Sequence, residues 1–401
     1  MRSKKLIPSL AVVALSWTAL SCTPHYKWQQ LRNDIASIRD SRSISSLPGG
    51  YRDFPGAIHV HTELSGDSHG TLEAIAEATR MTDGVFVITT DHHRPKVYEK
   101  GFEGWKDGVL FVRGSEIIKG CKGITGAGCN SLLVLGVDRY IDPKEISMRE
   151  VIEQIHASGG LAIAAHPDGF VDWDTPIDGM EIYDILDDAA EKEWKYPKWV
   201  FDVLYSYRPY RDEVFSSILD PPVRGVRKYD GLTATRRVVA VAGNDAHQNV
   251  RWAGRQIDPY SLSLRFVRTH VLSPTLTNKT DLLRAIASGH AYISFDGVVD
   301  GSGFGFWAED AEPDGSSYAV KIMGDEVPLR TGLRLRIQIP AEGKIRVVRN
   351  GTKAEETISR GLTVPVKETG VYRVEVLLKI RGRWWPWIYS NPIYVRSGGD
   401  L

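Results

Sequence analysis

Ala57-Ile58-His59-Val60-His61-Thr62, followed at Asp67 by a carboxylate, is the stretch on which the reading of this chain turns. A short apolar run leads into two imidazoles that flank one apolar residue. Side chains on a strand alternate with period two, so both rings share a face and one cation can take both nitrogens. Four further strand-like runs end in the same kind of residue. Val85 to Thr90 leads into Asp91-His92-His93, and Val109 to Val112 into Gly114-Ser115-Glu116. Leu161 to Ala165 leads into His166-Pro167, and Val238 to Ala242 into Gly243-Asn244-Asp245-Ala246-His247. Parallel α/β architectures gather the carboxyl ends of their strands on one face, so five such ends predict one shared metal centre.

Helical patterns fall between these runs. Leu72, Ile75, Ala76 and Thr79 mark one apolar face after Thr71, and Ser147 with Glu150 fits a capping box for a helix that stops at Gly159-Gly160. Strands are expected near 57–60, 85–90, 109–113, 131–137, 161–165, 179–183 and 237–243, an alternation that argues for a mainly parallel sheet. Strand-like runs at 268–272 and 291–295 bracket a further helix. After Phe295 the pattern becomes short alternating runs such as Leu333 to Gln338, which reads as an all-β module.

The motifs in this order, from His59-Val60-His61-Thr62 through Thr90-Asp91-His92, Gly114-Ser115-Glu116-Ile117 and Ala165-His166-Pro167 to Asn244-Asp245-Ala246-His247, resemble those of the PHP (polymerase and histidinol phosphatase) superfamily. The closing Tyr389 to Val395 resembles secreted members described as carbaryl-hydrolase-like. The resemblance implies an α/β chain with a distorted (β/α)7 barrel over 56–296 and a small C-terminal β-sandwich over 297–401. It implies a two- or three-metal hydrolytic centre of divalent Zn, Mn or Fe. By motif, His59, His61, Glu116 and Asp245 would hold one metal, Glu116 would bridge to a second on His166, and Asp67, His92 and His247 would hold a third. Many relatives supply a further His to the second metal, where this chain reads Leu135-Gly136-Val137-Asp138. Asp138 as an oxygen ligand, or Asn130 from the other strand end, are the substitutes.

The first 22 residues read as a lipoprotein-type signal, with Arg2, Lys4 and Lys5 ahead of an apolar stretch ending Ala19-Leu20-Ser21-Cys22. Lipidation of Cys22 would anchor the chain in a bacterial cell envelope, with secretion as the alternative. Residues 23–55 read as a helical tether and linker, with Trp28, Leu31, Ile35 and Ile38 at helical spacing. Cys121 and Cys129 are either free thiols or a disulfide, which would contribute roughly 2 to 3 kcal/mol. Aromatic residues crowd 194–210 and suggest a lid or peripheral packing, and Arg383-Trp384-Trp385-Pro386-Trp387 suggests a ligand platform or strand packing.

Fifty Lys and Arg balance fifty Asp and Glu, so no global field draws the chain to nucleic acid, and none is expected as a partner. Mixed nitrogen and oxygen ligands suit transition metals rather than Ca. The chemistry expected is attack by metal-bound hydroxide on a small-molecule phosphate mono- or diester, with Arg94, Lys96 or Arg251 contacting the phosphate. A carboxylic ester, amide or carbamate is the alternative substrate, and a noncatalytic metal-containing envelope protein that binds glycan or protein is the alternative role. His93 and His69 are weaker ligand candidates, Glu181 faces the pocket, and His25, His156, His270 and His290 are structural.

Overall fold

Why the sheet is buried on both faces can be read from β2 (Phe86–Thr89), where every residue is buried. Phe86 and Ile88 point one way, into a core shared with Ile58, Val112, Ile163 and Val241. Val87 points the other way, against Ile75 and Ala76 of helix α2 (Leu72–Arg80). Strands covered twice read as continuous apolar runs, as the parallel segments here do. In this computed structural model the described residues are 10–120, 129–184, 209–217, 219–252, 255–256, 258–311 and 317–398.

β1 (Arg52–Val60) pairs parallel with β2, and β2 with β4 (Val109–Lys119), which also carries the short antiparallel β3 (Gly104–Lys106). β5 (Asn130–Leu135) runs antiparallel to both β4 and β6 (Leu161–Ala165). β7 (Gly179–Asp184) and β8 (Val239–Gly243) continue parallel to β6. The strand order then returns to its start. The Asn244 N–H donates to the Ile58 carbonyl at 3.0 Å, and the His61 N–H to the Ala246 carbonyl at 3.0 Å. The ends of β1, β6, β7 and β8 therefore crowd together with the turn after β2. The reversed β5 departs from a regular strand–helix repeat.

The helix starts follow the sequence signals. Thr71 accepts the Ala74 N–H at the head of α2. Ser147 and Glu150 form the reciprocal capping box of the helix over Met148–Ala157.

Two parts of the chain are more tightly joined than a tether and an appended module would be. Helix α1 (Leu10–Asp40) buries Trp28, Leu31 and Ile35 against the large core, and Arg39 donates to the carbonyls of Gly297 and Val298. It is a packed element over the 23–40 stretch expected to be a tether. Among the described residues no helix is long and apolar enough to cross a membrane.

The C-terminal strands are also continuous with the rest. β9 (Arg268–Ser273) pairs with β1, β10 (Ala291–Ser294) with β9, and β10 with the strand over Arg383–Ser390. The long strand over Leu333–Arg349 pairs by its first half with Gly305–Asp310 and by its second with Tyr372–Leu377. Its register shifts between Gln338 and Gly343, around Pro340, which has no N–H to give a ladder. Asn391 saturates itself across the junction. Its amide oxygen accepts from the Ala240 N–H at 2.8 Å and the Tyr229 hydroxyl at 2.7 Å, and its nitrogen donates to the carbonyls of Ala240 and Ala291. Trp387 is fully buried and donates to the Val299 carbonyl, so this aromatic is a packing residue rather than an exposed platform.

His270 sits in a closed network behind β1. Its ring reaches Asp53 at 3.0 Å and Asp296 at 2.9 Å. Burial lowers its pKa, but the carboxylates of Asp296 and Asp53 more than offset this and raise it to about 10. The folded value thus exceeds an unfolded value of about 6.5, so the stabilisation is complete below pH 6.5 and fades as pH rises through 10. His270→Gln should therefore lower the urea midpoint most at pH 6 and progressively less toward pH 10. A gap that stays constant over that range would mean the ring is not charged in the fold.

Candidate metal centre

His59 is where the strand rule gives way. Its φ is +66°, in the left-handed region, and the register between β1 and β2 shifts between Ile58 and Val60. His166 (φ +47°) and Asp245 (φ +39°) share that unusual conformation. Non-glycine residues rarely adopt it, and three together at neighbouring strand ends mark a site that the surrounding structure over-determines. The convergence of His59 and His61 thus comes from a bulge rather than from simple alternation.

Two acids form the middle of the site. Glu116 stands 3.7 Å from His59 Nε2, 3.7 Å from His61 Nε2, 3.1 Å from His92 Nδ1 and 3.5 Å from His166 Nε2. Asp245 stands 3.4 Å from His59 Nε2, 3.1 Å from His61 Nε2, 3.3 Å from His247 Nδ1 and 3.9 Å from His166 Nε2. Asp67 closes the outer edge, 2.9 Å from His92 Nε2 and 3.7 Å from His247 Nε2. The His61 and His247 rings stack with centroids 3.9 Å apart.

These residues fall into three overlapping groups whose ligand atoms could share an ion: His59, His61 and Glu116; His59, His166 and Asp245; and His61, His92 and His247. The partition differs in detail from the one implied by the motifs, since His61 also joins His92 and His247. Nitrogen and oxygen ligands about 2.1 Å from a tetrahedral ion stand roughly 3.4 Å apart, close to the separations around Glu116 and Asp245. His59 Nε2, His61 Nε2 and His92 Nδ1 are buried and have no hydrogen-bond partner. Buried polar atoms are seldom left so, and ions held by the first and third of these groups would satisfy them.

The protonation of the metal-free site is set by this crowding. Burial pushes Glu116 and Asp245 up, but the imidazoles around them hold both well below the usual carboxylate range. The Glu116 carboxylate 3.1 Å from its Nδ1, with Asp67 hydrogen-bonded at Nε2, raises His92 to about 9. His59 is raised well above its ordinary value by Glu181 and Asp245 against the cost of burial, whereas burial lowers His61.

A second layer orients the rings. Glu181 accepts from His59 Nδ1 at 2.8 Å and from the His166 N–H at 3.1 Å. Asp184 lies 3.9 Å from His59 Nδ1. Both acids fit only because residue 243 is glycine: a Cβ there would fall 2.4 Å from Glu181 Oε1 and 2.6 Å from Asp184 Oδ2. Gly243→Ala should displace Glu181, cost about 1 to 3 kcal/mol of stability and weaken metal binding. Unchanged melting and unchanged metal affinity would contradict the close fit. Asp91, Ser65 and Asp184 were not singled out as functional residues from the sequence, although Asp91 lies inside a quoted motif.

Other candidates lie elsewhere. Asp138 is a correction: its side chain is 70% exposed and its Oδ1 is held by Lys279 at 2.7 Å and Arg113 at 3.2 Å, away from the centre. Asn130 instead anchors a loop, accepting from the Val171 and Asp172 N–H groups. His93 is satisfied by Ser115 and the Ile141 carbonyl, and His69 is exposed. Arg94, Lys96 and Arg251 are exposed. Arg94 lies beside the loop leading to Asp67, its Nη1 3.3 Å from where a Gly66 Cβ would stand. Cys129 is disulfide-bonded. Cys121 and the aromatic residues from Trp194 to Tyr207 lie outside the described residues.

The class defined by this geometry is a protein with clustered His, Asp and Glu residues able to hold several metal ions. Comparison places the chain more narrowly. It is 31% identical over 149 residues to the uncharacterized protein MJ1587 of Methanocaldococcus jannaschii, covering 31% of this chain and 79% of that one, and it belongs to the same family. No family model matches. Among solved structures it is similar to a two-domain protein containing a predicted PHP-like metal-dependent phosphoesterase from Bacteroides vulgatus, at 12% identity and a TM-score of 0.40 over 88% of this chain and 98% of that one. It is also similar to Endonuclease Q in complex with a 27-mer duplex bearing an abasic lesion, at 13% identity and a TM-score of 0.34 over 59% of this chain and 56% of that one. Neither similarity is strong enough to bear on the fold or the chemistry.

Proposed function

We propose that the chain is a metal-dependent hydrolase of the PHP type acting on a phosphate mono- or diester. The observation that carries this reading is the set of buried imidazole nitrogens, His59 Nε2, His61 Nε2 and His92 Nδ1, that lack hydrogen-bond partners and face Glu116 and Asp245. The ordered sequence motifs support it independently. In this reading the closed set of strands from β1 to β8 is the distorted (β/α)7 barrel, and the strands after residue 297 form the sandwich.

His59, His61, Glu116 and Asp245 would hold the inner ion or ions with His166, and Asp67, His92 and His247 the outer one. Divalent ions in such a site supply Lewis acidity toward a phosphoryl oxygen and make water nucleophilic near neutral pH. The chain's own contribution is to fix the donors: Glu181 holds the His59 ring, and the two acids keep the site's charge balanced. Ile58 and Val60, on either side of His59, are fully buried in the two apolar clusters that flank the sheet. Arg94, exposed beside the loop that leads to Asp67, and the exposed Arg251 would meet the phosphate oxygens and orient the ester.

Initial rates on matched nitrophenyl phosphomonoester, phosphodiester and carboxylic ester substrates, with Mn, Zn or Fe and against a chelated control, test the reading. Chelator-sensitive turnover of a phosphate ester is expected, and preference for the carboxylic ester would overturn the substrate class. Export and anchoring through Cys22 remain part of the same proposal, and Cys22→Ser should release the protein from membranes.

A further inference from the structure

Ser65 occupies a junction that decides how two of the candidate ligands are presented. Its hydroxyl donates to Asp91 Oδ1 at 2.8 Å. That uses its single proton. The same oxygen contacts His61 Nδ1 at 2.9 Å and accepts the His92 backbone N–H at 3.1 Å. Asp91 cannot supply a proton when ionised; it also accepts the Thr62 N–H at 2.6 Å and the Thr62 hydroxyl at 2.9 Å. With its proton spent on Asp91, Ser65 can only accept from the ring. Nδ1 of His61 must therefore carry the hydrogen, and in the neutral ring this leaves the lone pair on Nε2, which faces Asp245 at 3.1 Å and Glu116 at 3.7 Å.

From this proton count we propose that Ser65, anchored by Asp91, is a positioning residue that locks His61 in the Nδ1–H tautomer and so keeps its Nε2 available to a cation. The inference rests on the metal-centre reading for its purpose but not for its geometry. Ser65 is itself buried, and its hydroxyl bonds to Asp91, His61 and the His92 backbone, so its effect reaches the centre through the last two. Ring hydrogen bonds of this kind commonly alter metal affinity by about ten- to a hundredfold.

The first test needs no variant. Long-range proton–nitrogen correlation spectra of the full chain, labelled at histidine and stripped of metal, should show His61 as the neutral Nδ1–H form, assigned by loss of its signals in His61→Gln. An Nε2–H ring or an imidazolium would overturn the proposal. In Ser65→Ala the tautomer preference should be lost and the affinity for Mn or Zn alone, measured calorimetrically, should fall about tenfold or more. Ser65→Ala with unaltered tautomer or unaltered affinity would equally overturn it. Failure of the wild-type chain to bind either metal would instead defeat the metal-centre reading, while the ring spectrum would still decide the tautomer. If Ser65→Ala does not fold, Asp91→Ala, which removes the acceptor, provides the second variant. It frees the Ser65 proton to turn toward His61, and an unchanged tautomer there would again count against the relay.

Discussion

Glu116→Gln is expected to empty most of the centre and to lower kcat/KM for the preferred phosphate ester on the order of 10³-fold or more. The substitution keeps the shape of the side chain and removes its charge. Four imidazoles approach that one carboxylate within 3.1 to 3.7 Å, a tighter set than the four that stand 3.1 to 3.9 Å from Asp245. Without its charge the cations lose an anionic ligand shared between neighbouring groups. Metal content by mass spectrometry and single-turnover rates check the result together. Full metal occupancy with less than a tenfold loss of rate would show that Glu116 lies beside the centre without serving it.

The second large effect is on pH. A metal must displace any proton held by its ligands, so affinity rises about tenfold per pH unit for each proton displaced. His92 titrates near 9 in the metal-free fold, and His59 is likewise raised above its ordinary value. Affinity should therefore climb by about a hundredfold per displaced proton between pH 6 and 8, and level off above 9. The metal-free fold should follow the opposite trend. With folded pKa values above the unfolded value of about 6.5, these two rings stabilise it most below pH 6.5; the His92 contribution is lost as pH rises through 9, and that of His59 at a pH well above the ordinary imidazole range. Melting curves of stripped and loaded protein should thus diverge as pH increases. Parallel curves would mean that these imidazoles do not bind the ion.

How much of this was legible in the sequence depended on whether the signal was local. His59, His61, His92, His166, Asp245 and His247 are each announced by an apolar run that ends in them, because the strand and its terminal ligand are neighbours in the chain. Glu116 follows the same rule. Asp138 obeyed the local pattern and still lies outside the centre. β5 runs opposite to its neighbours, so residue 138, which follows its carboxyl end, emerges away from the face where the other ends meet. Direction relative to a neighbour is a property of pairing, which no run of residues states.

Contacts between distant segments were the other blind spot. Ser65 and Asp91 are 26 residues apart, and nothing in either stretch marks the hydrogen bond between them. Asn391 is 151 residues from Ala240, yet its amide completes the hydrogen bonding of that strand. Nothing in the stretch around Asn391 marks this contact with β8. The stripe of Trp28, Leu31 and Ile35 correctly announced a helix but not the surface that buries it, since periodicity specifies a face and not its partner.

Anomalous diffraction from crystals grown with Zn or Mn tests the central claim most directly, because it reports where an ion sits without assuming any reaction. Peaks are predicted in the space bounded by His59, His61, Glu116 and Asp245, with His166 or with His92 and His247 completing their shells. Strong anomalous scattering elsewhere on the chain with none between Glu116 and Asp245, at metal concentrations that support turnover, would contradict the account.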